Sequence, residues 1–182
     1  MNESTTITGD SSMQEVLQVF PGAQRALFRK YHIGGCSSCG FRPDETLAGV
    51  CERNGDLPVG EVLEKIQQSH EEDTRILLEP ADLAKRLAKG ENIRLVDIRS
   101  REEFEAVHIE GAVLLTQPIM QEILGSWDND QRFVMIDHQG QKGLDAAAYY
   151  LGHGMPNVHA LRGGIDAWSL EVDSSIRRYT LS

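Results

Sequence analysis

The segment FVMIDHQGQKGLDAAAYYL, residues 133–151, joins a strand-length apolar run to a helical pattern through a short loop. Phe133, Val134, Met135 and Ile136 are continuously apolar, as in a buried strand, whereas Ala146, Ala147, Tyr150 and Leu151 recur at helical spacing. What lies between them, Asp137, His138, Gln139, Gly140, Gln141, Lys142 and Gly143, is therefore a strand-to-helix turn. In an open α/β domain such a turn stands at the carboxyl end of a strand and aims the amides of a helix N-terminus into a crevice where ligands bind. Asp137 comes first in that turn.

Working outward, strands and helices alternate. Strands are expected at 75–78, 93–98, 112–115, 133–136 and 158–161. Helices are expected at 80–89, 102–106, 117–124 and after Gly163-Gly164, where the last helix carries Trp168. That order implies an α/β domain with a mostly parallel five-stranded sheet and helices on both faces.

The words around the loop carry a resemblance. LVDIRSREEFEAVHIEGAVLL (residues 95–115) lies upstream and NVHALRGGIDAW (residues 157–168) downstream. A D-x-R-x-x-x-E-[FY] segment, an H-I-x-G-A segment, a strand-ending loop and an L-x-G-G-x-x-x-W close, in that order, resemble the rhodanese-like domain over roughly residues 75–170. Catalytic members of that family carry a cysteine at the start of the loop. Here Asp137 stands there, with Gly140 at the loop's glycine position and Lys142 where arginine is common. Shifting the alignment by one residue substitutes His138, which is no thiol either. The chain has no cysteine after Cys51. Rhodanese chemistry needs a thiolate to hold sulfane sulfur as a persulfide, so the resemblance implies a degenerate active-site loop, residues 137–143, without thiosulfate sulfurtransferase activity. Asp97 and Arg99 match a structural ion pair of the family, and His108 a structural histidine.

The whole chain has ordinary soluble composition, with 40% apolar and 25% charged residues among 182. The net charge of −10 is spread over both halves: residues 1–75 hold seven Lys/Arg against twelve Asp/Glu, and the remainder eleven against sixteen. Without a basic patch, neither nucleic acid nor an anionic membrane surface is expected as a partner. No signal-like N-terminus or membrane-length apolar run occurs. Three cysteines crowded into residues 36–51 suit a reducing, cytoplasmic setting with reactive or metal-binding thiols.

The front of the chain reads as a disordered tail (1–11), a helical CxxC domain (12–68) and a polar linker (69–74), ahead of the rhodanese-like domain (75–182). Ser12 and Glu15 have capping-box spacing before a first helix. Pro21-Gly22 interrupts, a second helix ends at Gly34-Gly35, a third begins at Pro43-Asp44, and a fourth follows Pro58 with Val59, Val62, Leu63 and Ile66 inward. This segment is similar to a short redox-disulfide domain of unknown function associated with hybrid-cluster proteins. The likeness runs through Val19-Phe20-Pro21, then His32 to Cys39, then Thr46 to Cys51.

Cys36 and Cys39 form a C-x-x-C on a glycine-rich turn, able to close a disulfide or carry a sulfane sulfur. The bland alternative is two unreactive surface thiols. Cys51 shares a stripe with Leu47 and Val50 and reads first as a small buried apolar residue. In a sharper alternative, His32, Cys36, Cys39 and Cys51 hold zinc or an iron–sulfur cluster, although a second C-x-x-C is missing. Asp137 with His138 as a general acid/base pair is another option, lacking an evident nucleophile. Trp168 belongs to the core, and His70, His153 and His159 have no ligand spacing. The leading expectation is a redox or sulfur-handling protein that uses the Cys36/Cys39 dithiol without a bound cofactor. Its partner is a redox or sulfur-relay protein, and the second domain serves for docking or anion binding. The rival is a noncatalytic interaction module with structural or metal-bound cysteines.

Overall fold

A computed structural model of the chain describes residues 6–34 and 40–180, which divide into two compact units, residues 1–74 and 75–182. The first contains helices α1 (Met13–Val19), α2 (Ala23–Tyr31), α3 (Leu47–Arg53) and most of α4 (Val59–Ile76). Ser12 and Glu15 form both bonds of a capping box, since the Glu15 amide donates to Ser12 Oγ and the Ser12 amide to Glu15 Oε2. Met13, Val16, Leu27, Leu47, Val50, Val62 and Ile66 fill the unit's core.

Three expectations for this unit need correction. Residues 6–11 are not a loose tail: Ile7 is buried, and the amides of Leu47 and Ala48 donate to the carbonyls of Ser11 (2.9 Å) and Gly9 (2.8 Å). These bonds satisfy first-turn amides of α3 that have no partner within the helix. Helix α3 starts at Leu47 rather than Pro43, because Thr46 Oγ1 accepts from the Gly49 amide and caps it. Residues 69–74, expected as a linker, are helical within α4, where Asp73 is buried in an ion pair with Arg25 and His70 sets its ring edge-on to Phe20 at 5.2 Å.

The second unit is the expected parallel sheet, with a first strand shorter than the predicted one. Strands β1 (Leu77–Leu78), β2 (Ile93–Asp97), β3 (Ala112–Leu114), β4 (Arg132–Ile136) and β5 (Val158–Leu161) lie in the order β1-β5-β4-β2-β3, and every pairing is parallel. Helices α5 (Pro80–Ala88), α6 (Arg101–Ala106), α7 (Gln117–Gly125), α8 (Gln141–Gly152) and α9 (Gly164–Glu171) connect or follow them. The apolar run of β4 reflects burial on both sides. Phe133 and Met135 pack with Ile123, Leu144 and Tyr150, while Val134 and Ile136 pack with Leu83, Ile165 and Trp168. Each such side chain contributes about 1.5–3 kcal/mol of burial, which fixes where β4 ends and the loop begins.

Candidate functional site

Asp137 immediately follows β4 and is only 4% exposed. Its Oδ1 accepts from the Gly140 amide at 2.7 Å, and its Oδ2 from the Lys142 amide at 2.9 Å. The carboxylate thus sits inside the ring of amides formed as the chain enters α8, where the helix N-terminus also favours negative charge. Burial pushes the Asp137 carboxyl above its ordinary pKa, and the amides of Gly143, Gly140 and Lys142 pull the other way.

A second turn closes the loop from beneath. Gly140 caps α8 with φ of 96°, and a Cβ there would stand 2.7 Å from the Gly163 nitrogen. Gly164 likewise has no room for a side chain against the Asp137 carbonyl. This close approach lets the first turn of α9 donate to the loop, from the Ile165 amide to the Asp137 carbonyl (2.9 Å) and from the Asp166 amide to the His138 carbonyl (3.1 Å). The paired glycines of the L-x-G-G segment therefore position the loop.

Arg99 braces the adjacent β2 end. Its Nε and Nη2 grip the Asp97 carboxylate at 2.6–3.2 Å, Nη2 also donates to the Val107 carbonyl (2.7 Å), and both side chains are buried. Nη1 donates to the Tyr179 phenol at 2.8 Å, and that phenol donates to Glu103 Oε1 at 2.6 Å. Partial burial works against ionisation of Glu103, but bonds from Tyr179 and Ser100 hold its carboxyl below the usual range. Burial, followed by the bond to Glu103, pushes Tyr179 up to about 12.

His138 turns away from the Asp137 carboxylate. Its Nε2 lies 2.9 Å from the Tyr179 carbonyl, and its ring stacks on Tyr179 with centroids 4.3 Å apart. Since a carbonyl can only accept, Nε2 carries the hydrogen. A hydrogen-bonded Asp137–His138 acid/base pair is therefore not formed. The crevice above the loop has a volume of about 290 Å³ and is lined by Arg99, Glu103, Asp137, His138 and Lys142, with Gln139 and Gln141 on its exposed rim. It offers the cation of Lys142 and the partly committed guanidinium of Arg99 beside the Glu103 carboxylate, and no thiol.

Other candidate residues fall elsewhere. Cys36 and Cys39 lie outside the described residues. Cys51 is buried in the helical core, and burial raises its thiol pKa. His32 is exposed and caps α2 in the left-handed conformation. Among the described residues, no three His, Cys, Asp or Glu side chains converge as metal ligands. His108 bonds the Phe104 carbonyl through Nδ1 (2.8 Å), and Trp168 is buried in the sheet core. Tyr179 was not foreseen: it follows no periodic pattern and lies 80 residues from Arg99 in sequence.

Comparison with known proteins finds similar sequences and a shared fold. The thiosulfate sulfurtransferase GlpE of Shewanella oneidensis is 30% identical over 82 residues, which are 45% of this chain and 81% of that protein. GlpE of Pseudomonas putida is 33% identical over 89 residues, covering 49% of this chain and 81% of its own. The reduced CoADR-RHD structure of Bacillus anthracis shares the fold at 17% identity, with a TM-score of 0.50 over 67% of this chain and 21% of that one. The family model described as the rhodanese-like domain matches residues 79–171. With that match extending from the residue before α5 to the end of α9 and enclosing the Asp137 loop, the chain belongs to the rhodanese-like family.

Proposed function

We propose that this is a sulfur-handling or redox protein in which the reactive thiols are Cys36 and Cys39, and the rhodanese-like domain is a docking or anion-binding module without sulfurtransferase turnover of its own. The observation that carries the reading is the Asp137 carboxylate, which occupies the amide cradle of the loop through its bonds from Gly140 and Lys142. In catalytic relatives a persulfide anion would need those donors. A carboxylate takes them permanently and cannot bind sulfane sulfur, and no cysteine follows Cys51 in the sequence.

Sulfur chemistry is thereby left to the front of the chain. Burial among apolar side chains makes Cys51 a poor nucleophile. Cys36 and Cys39 can lose two protons and two electrons to form one disulfide while an oxidised partner disulfide is reduced to two thiols. Alternatively, the thiolate of one attacks a sulfane-sulfur donor and keeps its outer sulfur as a persulfide while the remainder of the donor leaves, as sulfite where the donor is thiosulfate. The other then attacks it, forming the intramolecular disulfide and releasing hydrogen sulfide. The natural partner is a redox or sulfur-relay protein, and a reducing cytoplasmic compartment keeps the dithiol available. This reading needs no cofactor.

The test uses the full chain and a Cys36→Ser/Cys39→Ser variant. Incubation with a sulfane-sulfur donor should add the mass of one sulfur, or close a disulfide, on the peptide holding both cysteines. Sulfur transfer from thiosulfate to cyanide should stay at background in the variant. Sustained thiocyanate formation by the variant would overturn the reading, as would Cys36 and Cys39 thiols that remain reduced and unmodified across the physiological redox range. Stoichiometric zinc or iron in anaerobically purified protein would favour the metal-bound alternative.

A further inference from the structure

We propose that residues 177–180 are a strap latched by Tyr179 over one wall of the Asp137 crevice, so that the crevice widens into the neighbouring groove, and His138 is uncovered, only after this side chain swings away. The chain is firmly held up to Ile176, which is buried and whose carbonyl accepts from Ser169 Oγ at 2.6 Å. Beyond that point residues 177–180 have no regular secondary structure and, among the described residues, make no hydrogen bond between main-chain groups. Arg177, Arg178 and Thr180 are exposed, and only Tyr179 is half-buried. A segment without a backbone ladder is held by its side chains alone and opens at low cost.

The holds converge on one wall of the crevice. The Tyr179 ring covers the His138 ring at 4.3 Å with 15° between planes, and its carbonyl accepts from His138 Nε2 at 2.9 Å. Its phenol bridges Arg99 Nη1 and Glu103 Oε1. Arg178 adds an exposed pair with Asp166 at 2.6–2.9 Å, a weak contribution at ordinary ionic strength. All three residues that Tyr179 engages, His138, Arg99 and Glu103, line the crevice, and Glu103 lines as well a groove of about 670 Å³ bounded by Tyr179 and Val107. The latch therefore stands between two cavities that share a carboxylate. Opening it joins them, returns an Arg99 N–H to the crevice and uncovers the face and Nε2 of His138.

That last consequence supplies the assay, which does not depend on what the crevice binds or on the thiols. Diethyl pyrocarbonate modifies accessible imidazole, and peptide mass spectrometry on the full chain reads the rate at each histidine. His108 and His153 are exposed references, each with Nδ1 bonded to a carbonyl four residues earlier, at 2.8 Å and 2.7 Å. His138 should react on the order of tenfold more slowly than they do, and Tyr179→Ala should bring it to about their rate. Tyr179→Phe, which keeps the ring but loses both phenol bonds, should fall between. His159, half-buried in β5, must stay slow in each variant, which separates strap opening from unfolding. If Tyr179→Ala unfolds the unit, the Phe variant decides alone. A wild-type His138 as reactive as His108 and His153, or one that remains protected in the folded variants, would overturn the proposal.

Discussion

Replacing Asp137 tests whether its carboxylate holds the loop, and the structure gives both a magnitude and a sign. Asp137→Ala removes the acceptor from two buried amide bonds, those of Gly140 (2.7 Å) and Lys142 (2.9 Å). Hydrogen bonds to a charged group are worth about 1.5–3 kcal/mol each, and removing the buried charge recovers part of that, so a net loss of about 2–4 kcal/mol is expected. Asp137→Asn keeps one oxygen for the Gly140 amide but turns an NH2 toward the Lys142 N–H, for a loss of about 1–2 kcal/mol. The pH dependence follows from burial, which raises the folded-state pKa of Asp137 above its unfolded value. The folded protein then binds the proton more tightly than the unfolded chain. The associated stability is fully present below the unfolded pKa and is lost as pH rises through the folded one. The penalty of Asp137→Asn should consequently be larger near pH 4 than near pH 7. Urea unfolding followed by tryptophan fluorescence is the assay, because Trp127 and Trp168, the chain's two tryptophans, both lie in the second unit. A penalty that grows toward neutral pH would show that the amide cradle outweighs burial and depresses the pKa. No penalty at either pH would remove the carboxylate from any role in the loop.

Arg99→Ala should cost about 3–5 kcal/mol in the same unfolding assay, because it strands the buried Asp97 carboxylate, and Arg99→Lys should recover less than half of that since an ammonium lacks the fork; a loss under 1 kcal/mol would refute the brace. In the Cys36→Ser/Cys39→Ser background the remaining Cys51, buried and with its thiol pKa raised, should resist a thiol-titrating disulfide reagent in native buffer and titrate fully in denaturant. Immediate native reaction would place Cys51 at an accessible surface instead. Asp137→Cys should yield a thiol alkylated with a pH midpoint below the ordinary cysteine value of about 8.5, because the loop amides and the α8 N-terminus would stabilise the thiolate; a midpoint above that value would mean that burial wins at this position.

Sheet, loop and the two glycine turns were legible because their signals are local. Four consecutive apolar residues before Asp137 are what a parallel strand buried on both faces requires, and Gly163-Gly164 announces a turn wherever it occurs. What escaped has its cause far along the chain. Residues 69–74 look like a linker because their one buried side chain is a carboxylate, and its ion pair with Arg25, 48 residues earlier, leaves no trace in the local pattern. Ile7 is a lone apolar residue in a polar stretch, with no period to reveal that its neighbours supply acceptors to the start of α3. Tyr179 is the same kind of case, since its ring position depends on His138 and its hydroxyl on Arg99 and Glu103, none of them within 40 residues. Long-range polar pairing leaves no periodicity.

The loop also shows why an acid suits the head of this turn. A strand-to-helix turn built on αL Gly140 directs several amides toward one point, and an unfilled ring of buried donors would cost about 1–3 kcal/mol for each unpaired N–H. A side chain at position 137 that can accept from two directions removes that cost, and a carboxylate does so with two oxygens, each meeting a different amide. A neutral side chain such as alanine would leave the donors to solvent that reaches the site poorly, since Asp137 is 4% exposed. On the proposed reading the same feature that stabilises the fold ends the family's reaction. The donors that could stabilise a sulfur anion during turnover are engaged by an oxygen anion that never leaves. The crevice above is then free to be selected for what it holds rather than for what it transforms.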